Sequence, residues 1–134
     1  MAPLFDLNVV SIAAHVATAL FAIFIGMQIL LAAGVLPVTI AWGGRQPVLT
    51  PALRVASVAA ALILTFFIYV IRYRAGLMGQ TPAPPWIPIA AWGVTGFMAL
   101  NTLGNFASVN KVERFVSGPL TVMIALACLV IAAS

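Results

Sequence analysis

Few side chains in this sequence can do chemistry, and they stand out because nearly everything around them is apolar. His15 is the only imidazole and lies inside a long apolar block. An imidazole so placed can act as a neutral hydrogen-bonding group, as a proton relay or as an axial ligand to a haem or chlorin. Burying a cation is expensive, so a neutral ring with a satisfied N–H is the expected state. Its expected partner is Tyr69, which matches its depth to within about a turn of helix, or Thr65. A bis-histidine haem would need a second histidine from another protomer.

Asn101 and Asn105, one turn apart on one side of a helix, are the most specific polar feature of the chain. Ser117 and Thr121 should meet them across a helical hairpin. Pro119 adds to this, because it removes one backbone hydrogen bond and frees the carbonyl of Phe115 to accept from elsewhere. Such a group is either interhelical glue, worth about 1 kcal/mol per bond, or a polar substrate or ion site. Glue is the expectation. Gln28 points away from the polar face of its own helix and has no place in lipid. It should meet another helix or mark a surface for a second protomer or another subunit. Asn110 followed by Glu113 resembles a capping box, with Glu113 expected to cap the last helix and to pair with Arg54 or Arg114.

Enzymatic chemistry is not expected. Glu113 and Asp6 fall at opposite ends of the helices and cannot form an acid/base pair. No phosphate-binding loop, nucleophile elbow or Cys/His cluster is present, and no metal site is expected. The single Cys128 can form no intrachain disulfide and no multi-thiolate site.

The elements that must position these residues follow from composition. Of 134 residues, 64% are hydrophobic and 6% are charged, against roughly 25% charged in an ordinary soluble domain. A water-soluble surface cannot be built from that, and the lipid bilayer is the expected solvent. The net charge of +4 comes from cations spread singly, so nucleic acid is not an expected partner. Apolar blocks at about 9–36, 52–73, 87–108 and 112–133 are each long enough to span a bilayer about 30 Å thick. The expected fold is an all-α membrane protein, a single domain forming an antiparallel bundle of four transmembrane helices. No basic leader or cleavage site precedes the first block, so it should remain as a helix.

Two stripes should form packing seams. Asn8, Ser11, His15, Thr18, Ala22, Gly26 and Ala33 share an arc of about 80° on helix one. Arg54, Ser57, Ala61, Thr65, Tyr69 and Arg72 repeat the device on helix two. Arg45, Arg54, Lys111 and Arg114 gather at one membrane face, against Arg72 and Arg74 at the other. By the positive-inside rule both termini should lie outside the cytoplasm.

The run Ala41-Trp42-Gly43-Gly44 through Leu53-Arg54-Val55-Ala56-Ser57, with Asn105, Ser108, Glu113-Arg114 and Pro119, resembles small four-span bacterial membrane proteins of uncharacterised activity. That resemblance implies the four-span architecture and a bacterial inner-membrane address. Ser11, Ala14 and Ala19 around His15 resemble the small-residue setting of pigment-ligating histidines in light-harvesting antenna helices, which have one span. The membrane-embedded Glu in helix one of small multidrug-resistance transporters is absent. The Glu, Asn and Arg pattern of glutathione-linked membrane enzymes has no match. The expected function is a small accessory or structural membrane subunit, acting through helix packing with itself or with a larger complex. The alternatives are an oligomeric small-molecule or proton transporter or channel using His15, Thr65, Tyr69, Asn101 and Asn105, and a haem- or chlorin-binding protein using His15.

Overall fold

The structure, a computed structural model, describes residues 4–134. Helix α1 runs Leu7–Ala33, α2 Pro51–Arg74, α3 Trp86–Phe106, and α4 Gly118–Ala133 preceded by a π-helical turn at Glu113–Ser117. No strand is present among the described residues. The four spans, the last taken as Glu113–Ala133, are long and apolar enough to cross a membrane.

Local chemistry sets the ends. Asp6 caps α1 by accepting the Asn8 N–H at 2.9 Å, so the helix starts earlier than hydropathy alone indicates. It also stops earlier, because Gly34 takes a left-handed φ of 80° and the Val35 N–H turns back to the Leu30 carbonyl at 2.9 Å. Thr50 caps α2 through the Leu53 N–H at 3.2 Å, with Pro51 in the first turn where its missing N–H costs nothing. Asn110 opens the last span, its Oδ1 accepting from the Val112 and Glu113 N–H groups at 2.8 and 3.3 Å.

Helix α1 packs chiefly on α2 and on α4, while α3 packs chiefly on α4. Phe21, Phe67 and Phe97 meet edge to face in succession, with ring centroids 6.1 and 5.1 Å apart, and link α1, α2 and α3 from the buried core out to the exposed Phe97. The packing face of α1 is not the small, polar stripe. Val10, Ala14, Ala17, Phe21, Phe24 and Leu31 are buried, whereas Asn8, His15, Ala22 and Ala33 are exposed. Two phenylalanines and a leucine offer far more dispersion contact than a ribbon of Ser, Thr and Gly, and they take the interior. The α2 stripe divides: Ser57 and Ala61 are buried, but Thr65 and Tyr69 are exposed.

The loops at one end are tied together. The segment from Trp42 to Gly44 is a 3₁₀ turn whose Gly43 donates its N–H to Glu113 Oε1 at 3.0 Å. Its carbonyl accepts the Val109 N–H at 3.2 Å. Gly44, at φ 75°, lies so near Asn110 that a Cβ would sit 2.8 Å from the Asn110 nitrogen. The loop joining α1 to α2 thus sits against the loop joining α3 to the last span.

Candidate functional site

Beneath those joined loops lies a cavity of about 240 Å³. Its floor is apolar, with Phe24, Met27, Leu64 and Met98, and its polar rim carries Gln28, Trp42, Gly43, Asn101, Asn105 and Glu113. Every span contributes, so the site exists only in the folded chain.

Glu113 is 7% exposed. Its expected role as the second half of a capping box, and its expected pairing with Arg54 or Arg114, are both corrected. The Asn110 N–H that Glu113 would have taken already donates to Ser108 Oγ at 3.1 Å. Arg54 donates to the Ala32 carbonyl at 3.0 Å and Arg114 to the Phe106 carbonyl at 3.1 Å. Those carbonyls sit at the ends of α1 and α3, where unpaired acceptors and the negative end of the helix dipole attract cations. The carboxyl group is left with the Gly43 N–H.

Gln28 lines this cavity inside the chain. Its Oε1 is buried and has no hydrogen-bond partner. Trp42 adopts a φ of 56°, a left-handed conformation uncommon for a bulky residue and one that clusters at ligand-contacting positions. The π-helical turn places Glu113 and Ser117 on the cavity wall, and its Gly118 N–H returns to the Glu113 carbonyl. Single π turns recur at functional sites because they turn side chains off the regular helical register.

The polar group of α3 and the last span forms in part. Asn105 and Thr121 are buried, and Asn105 Nδ2 donates to Thr121 Oγ1 at 3.2 Å. Ser117 is buried beside them, but it is its carbonyl that meets the Thr121 hydroxyl, at 2.9 Å. Asn101 is exposed on one side and lines the cavity on the other. No side-chain donor reaches the Phe115 carbonyl among the described residues; the Thr121 hydroxyl is within 2.8 Å of the Gly118 carbonyl as well.

Among the described residues no hydrogen bond joins His15 to Thr65 or Tyr69. Thr65 donates to the Ala61 carbonyl of its own helix at 2.8 Å, and Tyr69 packs against Phe66 and Tyr73. His15 is exposed, and its Nδ1 faces the Arg72 guanidinium at 3.5 Å, which also donates to Thr18 Oγ1 at 3.2 Å. A guanidinium only donates, so in this contact the ring can take part only through an accepting Nδ1. The expected bond to Tyr69 or Thr65 is replaced because Arg72, longer and charged, reaches across from α2 and takes the acceptor first.

Comparison with protein families, curated proteins and solved structures finds no match to the chain. Trp42, Gly43 and Glu113 were not foreseen as a site. The one signal for it was the Ala41-Trp42-Gly43-Gly44 run, since two adjacent glycines beside an aromatic residue allow a backbone to approach another loop closely.

Proposed function

We propose that this chain is a multi-pass protein of a bacterial inner membrane, an antiparallel bundle of four transmembrane helices with both termini outside the cytoplasm. Its function is to bind a small polar molecule in the cavity beneath the joined loops, the capture step of a small-molecule transporter or channel. One observation carries this reading: a buried carboxyl group and an unpartnered amide oxygen border the same cavity. Helix packing alone gives no reason to keep them. A buried acceptor without a donor costs about 1–3 kcal/mol, and polar side chains among membrane spans concentrate where ligands or ions pass. The volume is below the roughly 300–1,000 Å³ of drug-sized sites and suits a molecule of a few heavy atoms.

Gly104 provides the test, because it lines the cavity and a Cβ there meets nothing within 4 Å. Gly104→Phe should fill the space without disturbing the backbone. A panel of small neutral, cationic and anionic solutes is screened against the purified chain by thermal shift. At least one class should raise the melting temperature of the parent and leave Gly104→Phe unmoved. Equal responses from the two proteins, or none from the parent, would remove the proposal. Proteoliposome flux of the responding solute then separates transport from binding alone.

The accessory-subunit reading retains one specific observation. Gly93 and Gly96 on α3 have open space where a Cβ would point, and small residues of this kind let another membrane helix approach closely. Native mass of the parent and of Gly96→Leu tests it: an oligomer that dissociates in the variant supports association through α3, and a monomer throughout refutes it.

A further inference from the structure

Building on the cavity as a binding site, we infer that its ligand carries a protonated amine. Asn105 Nδ2 is committed to Thr121, and the Gly43 N–H to Glu113. Two lining groups call for a donor: the Glu113 carboxyl group, with valences beyond the Gly43 N–H, and the buried Gln28 Oε1, which receives nothing; the Asn101 amide and Ser117 hydroxyl beside them can donate or accept. A ligand that completes this site must bring donors. An anion would place a second acceptor against Glu113 and leave Gln28 unpaired.

Charge gives the same direction. The guanidiniums of Arg54 and Arg114 are held by the Ala32 and Phe106 carbonyls, and neither they nor Arg45 and Lys111 line the cavity. A single N–H offsets little of the cost of burying a carboxylate, whereas an ammonium supplies up to three charged donors. Trp42, 38% exposed and lining the same space, offers an aromatic face of the kind that attracts cations. The chemistry is shared by a water-soluble primary amine and by the ethanolamine headgroup of a lipid.

The test uses the full chain in phosphatidylcholine nanodiscs with Trp86→Phe and Trp92→Phe, so that Trp42 is the only indole. Butylamine, butanol and butyrate are titrated while Trp42 emission is followed. Butylamine should give a saturable change, with the other two at least about tenfold weaker, the scale set by a charge-assisted bond. Glu113→Gln retains an acceptor for the Gly43 N–H and should weaken butylamine about tenfold. Gln28→Met, which removes the unpaired oxygen with little change in volume, should weaken it several-fold and carries the test if Glu113→Gln does not fold. Saturation by butylamine in phosphatidylcholine assigns the site to soluble amines. A Trp42 spectrum already displaced in discs containing phosphatidylethanolamine, with no further response to butylamine there, assigns it to the headgroup. Butanol or butyrate binding as tightly as butylamine, or folded variants that bind it unchanged, overturns the amine assignment and leaves the cavity a binding site. No saturable response to any of the three solutes or to either lipid overturns both.

Discussion

Ser57 and Asn105 show two outcomes for a polar side chain enclosed by helices. Ser57 is fully buried and its hydroxyl has no partner. An unsatisfied hydroxyl is a net cost, so Ser57→Ala should leave stability unchanged or raise it by about 1 kcal/mol, read from denaturation in mixed micelles. Asn105 is the opposite case, because its amide donates to Thr121. A double-mutant cycle of Asn105→Leu and Thr121→Val should show a coupling of about 0.6–1.7 kcal/mol, the range of such bonds in membrane proteins. Coupling near zero would mean that the two side chains find equivalent partners when separated. The Asn105 partner was expected across a short hairpin, whereas the lack of one at Ser57 could not be read from sequence, because only the neighbouring helix decides whether a donor or acceptor stands opposite it.

At the scale of elements, the turns are the most sharply constrained part of the chain. Gly79 sits at φ 81° under the Tyr73 ring, where a Cβ would lie 2.2 Å from Tyr73 Cζ. Tyr73 in turn accepts the Gln80 N–H at 3.0 Å. Gly79→Ala should therefore lose about 2 kcal/mol or more, since it adds a left-handed backbone penalty to a ring displacement. Gly44→Ala meets the Asn110 backbone nitrogen and Cβ, which cannot swing aside as the end of a long side chain can. It should loosen the loop pairing that places Glu113, visible as faster amide exchange at Gly43 and Val109 with the helices intact. Helix ends were legible from sequence where a cap residue was, as at Thr50-Pro51, and mistaken by a few residues where Gly34 and Asp6 acted against the hydropathy.

For the whole molecule, the arrangement of cations remains the handle on orientation. Arg45, Arg54, Lys111 and Arg114 belong to the end at which the two loops meet, while Arg72 reaches His15 and Thr18 near the start of α1. With Cys128 replaced by Ala, a cysteine at the exposed Gln46 should react with a membrane-impermeant maleimide only from the cytoplasmic side. Reaction in intact cells from outside would place the cavity mouth at the opposite face and reverse the direction of capture.

Sequence alone determined that the chain is all helical and that its four apolar blocks are long enough to span, because period, length and hydropathy are properties of each segment taken singly. It also indicated that Asn105 and Thr121 face each other, since two helices joined by a short turn bring equal depths together. Only the tertiary structure decided which face of α1 turns inward, where the bulk of Phe21 and Phe24 outweighed a polar stripe. The site belongs to the same class of decision. Gln28, Trp42 and Glu113 lie far apart along the chain, and their meeting depends on a loop docking that two glycines permit and that two hydrogen bonds of Gly43 hold, one to the Glu113 carboxyl group and one from the Val109 N–H. A pairing between distant residues leaves no periodic mark in sequence, so it becomes visible only when the helices have packed.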